Sequence, residues 1–196
     1  MLQHKADRCY QALLLFSMAW LSWLLMMVTH EAGHVLHGWM SGAGLDCVLL
    51  PPFGFSRTDF MTNPHPLFVA WGGAIWGCLI PLSLLAIISA FARRYAYLAR
   101  WFAGFCLIAN GAYLAAGALR GGDADDGAVL LHSGAAVWQL LAFGIPTVAA
   151  GLFLWNGLGQ SFGLGPARGK VDRKVAVILP VALAVVVAVE LAAGGG

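Results

Sequence analysis

Charge is what this chain has least of: of 196 residues, 11 are Lys or Arg and 9 are Asp or Glu, a tenth of the sequence. Soluble domains carry about a quarter. With 60% hydrophobic residues and a mean hydropathy of +0.79, this scarcity excludes an ordinary water-soluble globule. The net charge is only +2 and no basic aromatic patch accompanies it, so nothing points to nucleic acid as a partner. The four cysteines, Cys9, Cys47, Cys78 and Cys106, are scattered and form no C-x-x-C pair. That argues against a disulfide framework and a cysteine metal site, and leaves packing as small apolar side chains. There is no internal repeat and no soluble segment large enough to fold alone.

What the chain has instead is long apolar runs. They extend from Ala12 to Val28, continuing to Trp39, and then over Leu67 to Phe91, Leu98 to Leu119, Val129 to Trp155 and Val175 to Ala193. Each meets the requirement of about 20 helical residues to cross a hydrocarbon layer, so an all-α polytopic membrane protein with about five transmembrane helices is expected. The first run follows Lys5 and Arg8 like a signal peptide. It continues without a small-x-small cleavage site and reads as a retained helix. Arg93, Arg94 and Arg100 follow span two, and Arg168, Lys170, Arg173 and Lys174 precede span five, whereas Arg57 and Arg120 stand alone in the alternate loops. By the positive-inside rule the N-terminus is expected on the cytoplasmic side and the C-terminus outside; the membrane expected is a cell membrane of the bacterial type. Trp39, Trp101 and Trp155 fall near span ends, where an interfacial belt is expected.

The organisation read from composition is a membrane-embedded core over residues 1–155, a flexible basic linker over 156–174 and a C-terminal transmembrane helix over 175–196. The linker reading rests on five glycines, a proline and clustered charges; the last span carries Glu190 as its single ionisable group. Between spans one and two, Ser41 to Pro66 is too polar and proline-rich to cross. Leu45 to Leu50 is expected as a short strand before the turn at Pro51 and Pro52. Phe53, Gly54 and Phe55 can enter the membrane as a re-entrant segment only if backed by protein. Gly72, Gly73 and Gly77 in span two let another helix backbone approach closely.

At the end of the first apolar run stand His30, Glu31 and His34, spaced H-E-x-x-H. On a helix, residues i and i+4 share a face, so both imidazoles reach one metal ion while Glu31 reaches a water on that metal. The chemistry this spacing serves is hydrolysis by a zinc-activated water with Glu31 as the catalytic base. The alternative is two packed histidines and an ion-paired glutamate. Three ionisable groups within five residues of a membrane helix weigh against it, because such groups are costly there and are kept for function.

A catalytic zinc takes three protein ligands, so a third is required. Asp123, Asp125 and Asp126 lie in the loop before span four, on the same side of the membrane as the motif in the charge-derived topology. Asp123 and Asp126 share a face if a helix starts there, and both compete as ligand. The rival explanation is that aspartates simply cap a helix N-terminus. His37 is seven residues from His30, about 10 Å along the axis, too far to chelate the same ion. His65 and His132 are isolated, and His4 is terminal. Asn110, the strongly polar amide of span three, is either an interhelical hydrogen-bonding residue or a candidate substrate or oxyanion contact.

His30-Glu31-Ala32-Gly33-His34, the Gly44 to Phe55 segment with its strand and Phe-Gly turn, the small-residue stretch Ala70 to Gly77, Asn110 and the pair Asp126-Gly127 together resemble the site-2 protease family of intramembrane zinc metalloproteases. The resemblance spans roughly residues 20 to 134. It implies one Zn²⁺ on His30, His34 and Asp126, with Asp126 preferred over Asp123 because Gly127 follows it. It also implies a transmembrane protein or peptide as substrate. In this chain sixteen residues separate Asn110 from Asp126 with no proline between, unlike the family's closer grouping. The family's better-known members place the site toward the cytoplasm, opposite to the charge-derived topology. Two other functions fit the same residues: a zinc hydrolase of a lipid amide or ester, and a non-catalytic membrane interaction protein with a vestigial metal site.

Overall fold

The computed structural model describes residues 2–120 and 125–193. Six α-helices and one β-hairpin follow in the order α1 (Leu2–Ser41), β1 (Gly44–Leu49), β2 (Arg57–Thr62), α2 (Pro66–Phe91), α3 (Ala96–Arg120), α4 (Asp126–His132), α5 (Val137–Trp155) and α6 (Arg173–Ala193). Five of these helical stretches are long and apolar enough to cross a membrane: Lys5–Ser41, Pro66–Phe91, Arg93–Leu119, Val137–Trp155 and Arg173–Ala192. The chain is a multi-pass membrane protein of the expected class. The fourth span is shorter than the apolar run over Val129 to Trp155 suggests. Gly134, at φ +103°, ends α4 in a conformation that side-chain-bearing residues avoid, and α5 restarts at Val137.

The first helix packs on α2 and α6, while α3 lies between α2 and α5. One apolar cluster joins Leu14 and Met18 of α1, Phe102 and Cys106 of α3, and Val175 and Ala176 of α6. A second gathers Ala70, Ala74, Leu114, Leu130 and Leu140 under the short helix α4. The segment expected as a flexible linker is instead part of the first cluster. It forms 3-10 turns at Leu158–Phe162 and Gly165–Ala167, buries Leu158 and Phe162, and its Phe162 carbonyl accepts a hydrogen bond from Gln11 Nε2 at 2.9 Å. Two apolar side chains spaced to reach the bundle outweigh the glycines around them.

Basic residues meet acidic partners at this end. Arg94 donates to Asp172 Oδ2 at 2.6 Å, and Arg173 to Asp7 Oδ1 at 2.9 Å. The Arg94 guanidinium holds the Asp172 carboxyl below its usual range. Trp101 and Trp155, expected as belt residues, stack on each other with centroids 4.8 Å apart. Trp39 is exposed.

The hairpin folds back along α1. Strand β1 corresponds to the expected strand, and β2 pairs with it antiparallel, with Val48 opposite Thr58 and Leu49 opposite Arg57. At its tip, Phe53 and Phe55 pack edge-on against Trp20 and Trp23 of α1. Trp20 lies about 30 Å down the helix axis from Ser41, so the hairpin re-enters alongside the span, backed by protein.

At the crossing of α1 and α2 the backbones touch. A Cβ on Gly33 would overlap the Gly72 carbonyl, and one on Gly72 would overlap the Gly33 carbonyl and approach His37 Cγ to 2.8 Å. Only glycine fits at either place. Gly72→Ala is therefore expected to destabilise the bundle by about 1–3 kcal/mol through overpacking. Thermal unfolding in detergent measures this; an unchanged midpoint would mean that the contact tolerates separation.

Candidate metal centre

The motif lies on an unbroken stretch of α1, so His30 and His34 project one turn apart onto the α2 and α3 side. Their Nε2 atoms are 3.1 Å from each other. Asp126, the first residue of α4, brings Oδ2 to 2.8 Å from His30 Nε2 and 3.3 Å from His34 Nε2. Among the described residues, these three side chains form the group that could hold a metal ion. Asp123 lies outside the described residues. The adjacent aspartates divide two roles that compete in the sequence: Asp125 caps α4, its Oδ1 accepting from the Ala128 N–H at 2.8 Å, and Asp126 turns inward.

The far nitrogens of both rings are fixed. Asn110 Nδ2 donates to the Cys106 carbonyl at 2.9 Å, so its Oδ1 is the end that faces His30 Nδ1, at 2.6 Å. The Val69 carbonyl lies 2.9 Å from His34 Nδ1. Both acceptors require a proton on Nδ1, which leaves Nε2 as the lone-pair nitrogen in a neutral ring. Two such lone pairs and a carboxylate facing one another at these distances repel unless a cation or a further proton lies among them. The donor set fits a metal ion on its own chemistry.

Gly73 of α2 makes room for the cluster. A Cβ there would lie 2.6 Å from His30 Nε2 and overlap His34 Nε2. One turn on, a Cβ at Gly77 would come within 2.8 Å of both polar atoms of the Asn110 amide. The glycines expected to admit a neighbouring helix thus admit the imidazoles and the amide that orients one of them.

Glu31 is buried beside the ligands and faces the hairpin. Its Oε1 accepts from Ser56 Oγ and its Oε2 from Thr58 Oγ1, both at 2.6 Å. Neither hydroxyl was expected in the site. Their signal is weak: a Ser and a Thr two residues apart, on one face only if the segment is a strand.

A cavity of about 910 Å³ opens onto these groups, bounded by α1, α2, α3, α4 and residues 55–60. The strand bordering it is β2, whereas Val48 and Leu50 line a separate apolar groove against Val28, Val35 and Leu36 of α1. Arg57 and Asp59 also line the cavity, paired at 2.9 Å. Tyr113, missed in the sequence although it sits three residues from Asn110 on the same helical face, lines it too. His37 donates toward the Phe68 carbonyl at 2.7 Å and stacks on the Phe68 ring, apart from the ligands.

Loss of an outer partner to a ligating histidine typically weakens metal binding about 10–100-fold. Asn110→Ala is expected to lower metal affinity by that factor without unfolding the chain, as measured by chelator competition. Unchanged affinity would show that the amide does not orient His30. No family model, curated protein or solved structure matches this chain, so the case for its chemistry rests on the geometry of the site.

Proposed function

We propose that this protein is an intramembrane zinc peptidase, similar in kind to the site-2 protease family, that hydrolyses a peptide bond in or near a transmembrane segment. The observation that carries the reading is the convergence of His30, His34 and Asp126 with the carboxylate of Glu31 on one cavity inside a membrane bundle. Ligand atoms around a tetrahedral zinc stand about 3.3 Å apart for bonds of about 2.0–2.1 Å, close to the separations of the three donors here. Two imidazoles and one carboxylate are also a zinc-type donor set.

When bound, zinc supplies a water of lowered pKa and polarises the substrate carbonyl. The remaining work falls to the chain. Glu31 accepts the proton of the attacking water at a carboxylate oxygen and returns it to the leaving amine. Each Glu31 oxygen accepts a single hydroxyl bond and keeps a second lone pair for the water. Asn110 and the Val69 carbonyl hold the imidazoles in the ligating tautomer. Arg57 and Asp59 face the cavity as an ion pair, which in a membrane implies hydration, and hydrolysis consumes water.

A transmembrane substrate hides its carbonyls in helical hydrogen bonds and must unwind before cleavage. Residues of β2 line the cavity, and β2 pairs with β1 along one edge of a two-stranded sheet, so its other edge offers backbone donors and acceptors to an extended segment, favouring a peptide over a lipid amide or ester. The docking strand in this reading is β2, Arg57–Thr62, and not the strand expected over Leu45 to Leu50.

Purified wild type is expected to carry about one zinc per chain, given one set of three candidate ligands among the described residues. His34→Ala should lose it. Glu31→Gln should keep it and cut hydrolysis of a transmembrane peptide by about 10²–10⁴-fold, the usual contribution of a general base. Full activity in Glu31→Gln would overturn the mechanism; cleavage of lipid amides but no peptide would redirect the substrate assignment.

A further inference from the structure

Charge accumulates on the scissile carbonyl oxygen as a peptide bond is attacked, and a hydrolytic site needs a donor for it. Asn110 was the sequence candidate. Its oxygen is committed to His30 and its nitrogen to Cys106, and the side chain is buried against Gly77, so its amide serves the ligand.

Tyr113 stands one helical turn further along α3 and is placed differently. Its hydroxyl oxygen accepts the backbone N–H of Asp126 at 3.2 Å, and its ring meets the His30 ring edge-on with centroids 6.0 Å apart. The phenol is thereby bracketed by two of the three ligand residues. With its oxygen engaged as acceptor, its own O–H has no acceptor among the described residues, and the side chain is partly open to the cavity. Glu31 is held on the β2 wall of that cavity by Ser56 and Thr58, whereas Tyr113 rises from the α3 wall. A base on one wall and a free hydroxyl donor on another is the arrangement that attack on a carbonyl requires.

We propose that the Tyr113 hydroxyl donates to the carbonyl oxygen of the bond being cleaved and stabilises the negative charge that develops there, a catalytic role that rests on the peptidase reading. The phenol keeps its proton throughout: as the carbonyl becomes tetrahedral the O–H bond is retained, and the hydrogen bond strengthens with the charge on its acceptor. Tyr113 sits on a helix, and the same helical face carries the residue that orients His30, so donor and ligand are positioned by one rigid element.

The test uses the full chain in detergent, loaded with zinc, as wild type and Tyr113→Phe. The probes are a synthetic apolar transmembrane peptide with a central Gly-Gly bond and its analogue with a phosphinate at that bond, whose anionic oxygen mimics the developing charge. Zinc affinity by chelator competition is expected to be unchanged in the variant. Its kcat for the peptide and its affinity for the phosphinate should fall by about 10²–10³-fold, as for loss of one oxyanion donor, with KM little altered. Equal kcat and equal phosphinate affinity in the two proteins would overturn the assignment to Tyr113 and leave the peptidase reading intact. A loss of zinc affinity that accounts for the loss of rate would also overturn it, by making Tyr113 a support for Asp126. A zinc-loaded wild type that neither cleaves the peptide nor binds the phosphinate would overturn the peptidase reading, and this assignment with it.

Discussion

The contact on which the site depends is between two backbones. Gly33 sits inside the histidine motif and Gly72 faces it from α2, and neither position has room for a Cβ. Without a hydrophobic drive between helices in lipid, such close approach is one of the few ways to fix their separation. The consequence reaches the chemistry directly. Gly73, next in α2, leaves the space that the two Nε2 atoms occupy, and Gly77 leaves the space for Asn110. Had α1 and α2 been spaced by ordinary side chains, the Val69 carbonyl could not reach His34 Nδ1, and the imidazole would be free to rotate out of its ligating orientation.

The hairpin solves a second problem. A glutamate in a membrane helix needs hydrogen-bond partners, and a helix neighbour would have to supply them from serines or threonines one turn apart. Here an extended segment supplies Ser56 and Thr58, two residues apart, so both hydroxyls fall on the same side of the strand and reach the two oxygens of Glu31. Extended backbone at this depth would otherwise be too costly. It is supported by pairing with β1 and by Phe53 and Phe55 against Trp20 and Trp23. The segment that holds Glu31 also carries the strand edge not paired with β1, so in the proposed reaction the base and the docking edge would be mechanically joined at β2.

Much of this was legible in the sequence where a single physical property decides. The five spans follow from length and hydropathy, and the face shared by His30 and His34 follows from helical period. Where partners decide, the sequence was mute. The break at Gly134 lies inside a continuous apolar run, so hydropathy passes over it. Strand β2 contains Arg57 and Asp59, which read as loop until the cavity they face is known. Residues 156–174 look like a tether by glycine count, yet Leu158 and Phe162 close the bundle against α1 and α3. Asn110 was visible as a costly amide, but its role turned on which of its two ends met His30, and that was set by the Cys106 carbonyl four residues earlier.

Charge balance accounts for why so many ionisable groups tolerate one another here. Glu31, His30 and His34 are all buried, and Asp126 is largely so. Two carboxylates in a low-dielectric bundle would each face a desolvation penalty of several kcal/mol if left unpaired. The imidazoles cannot relieve this as neutral rings, because their Nδ1 protons are spent on Asn110 and Val69. A divalent cation at the two Nε2 atoms and Asp126 would neutralise both carboxylates at once, one by direct ligation and one at a distance. The second carboxylate keeps its hydroxyl partners and stays outside the ligand set, and a base must stay outside it to remain free to move a proton. In the proposed reaction the distinction between ligand and base among these acidic residues would thus be made by their neighbours: α4 turns Asp126 toward the imidazoles, and the hairpin holds Glu31 by its two hydroxyls.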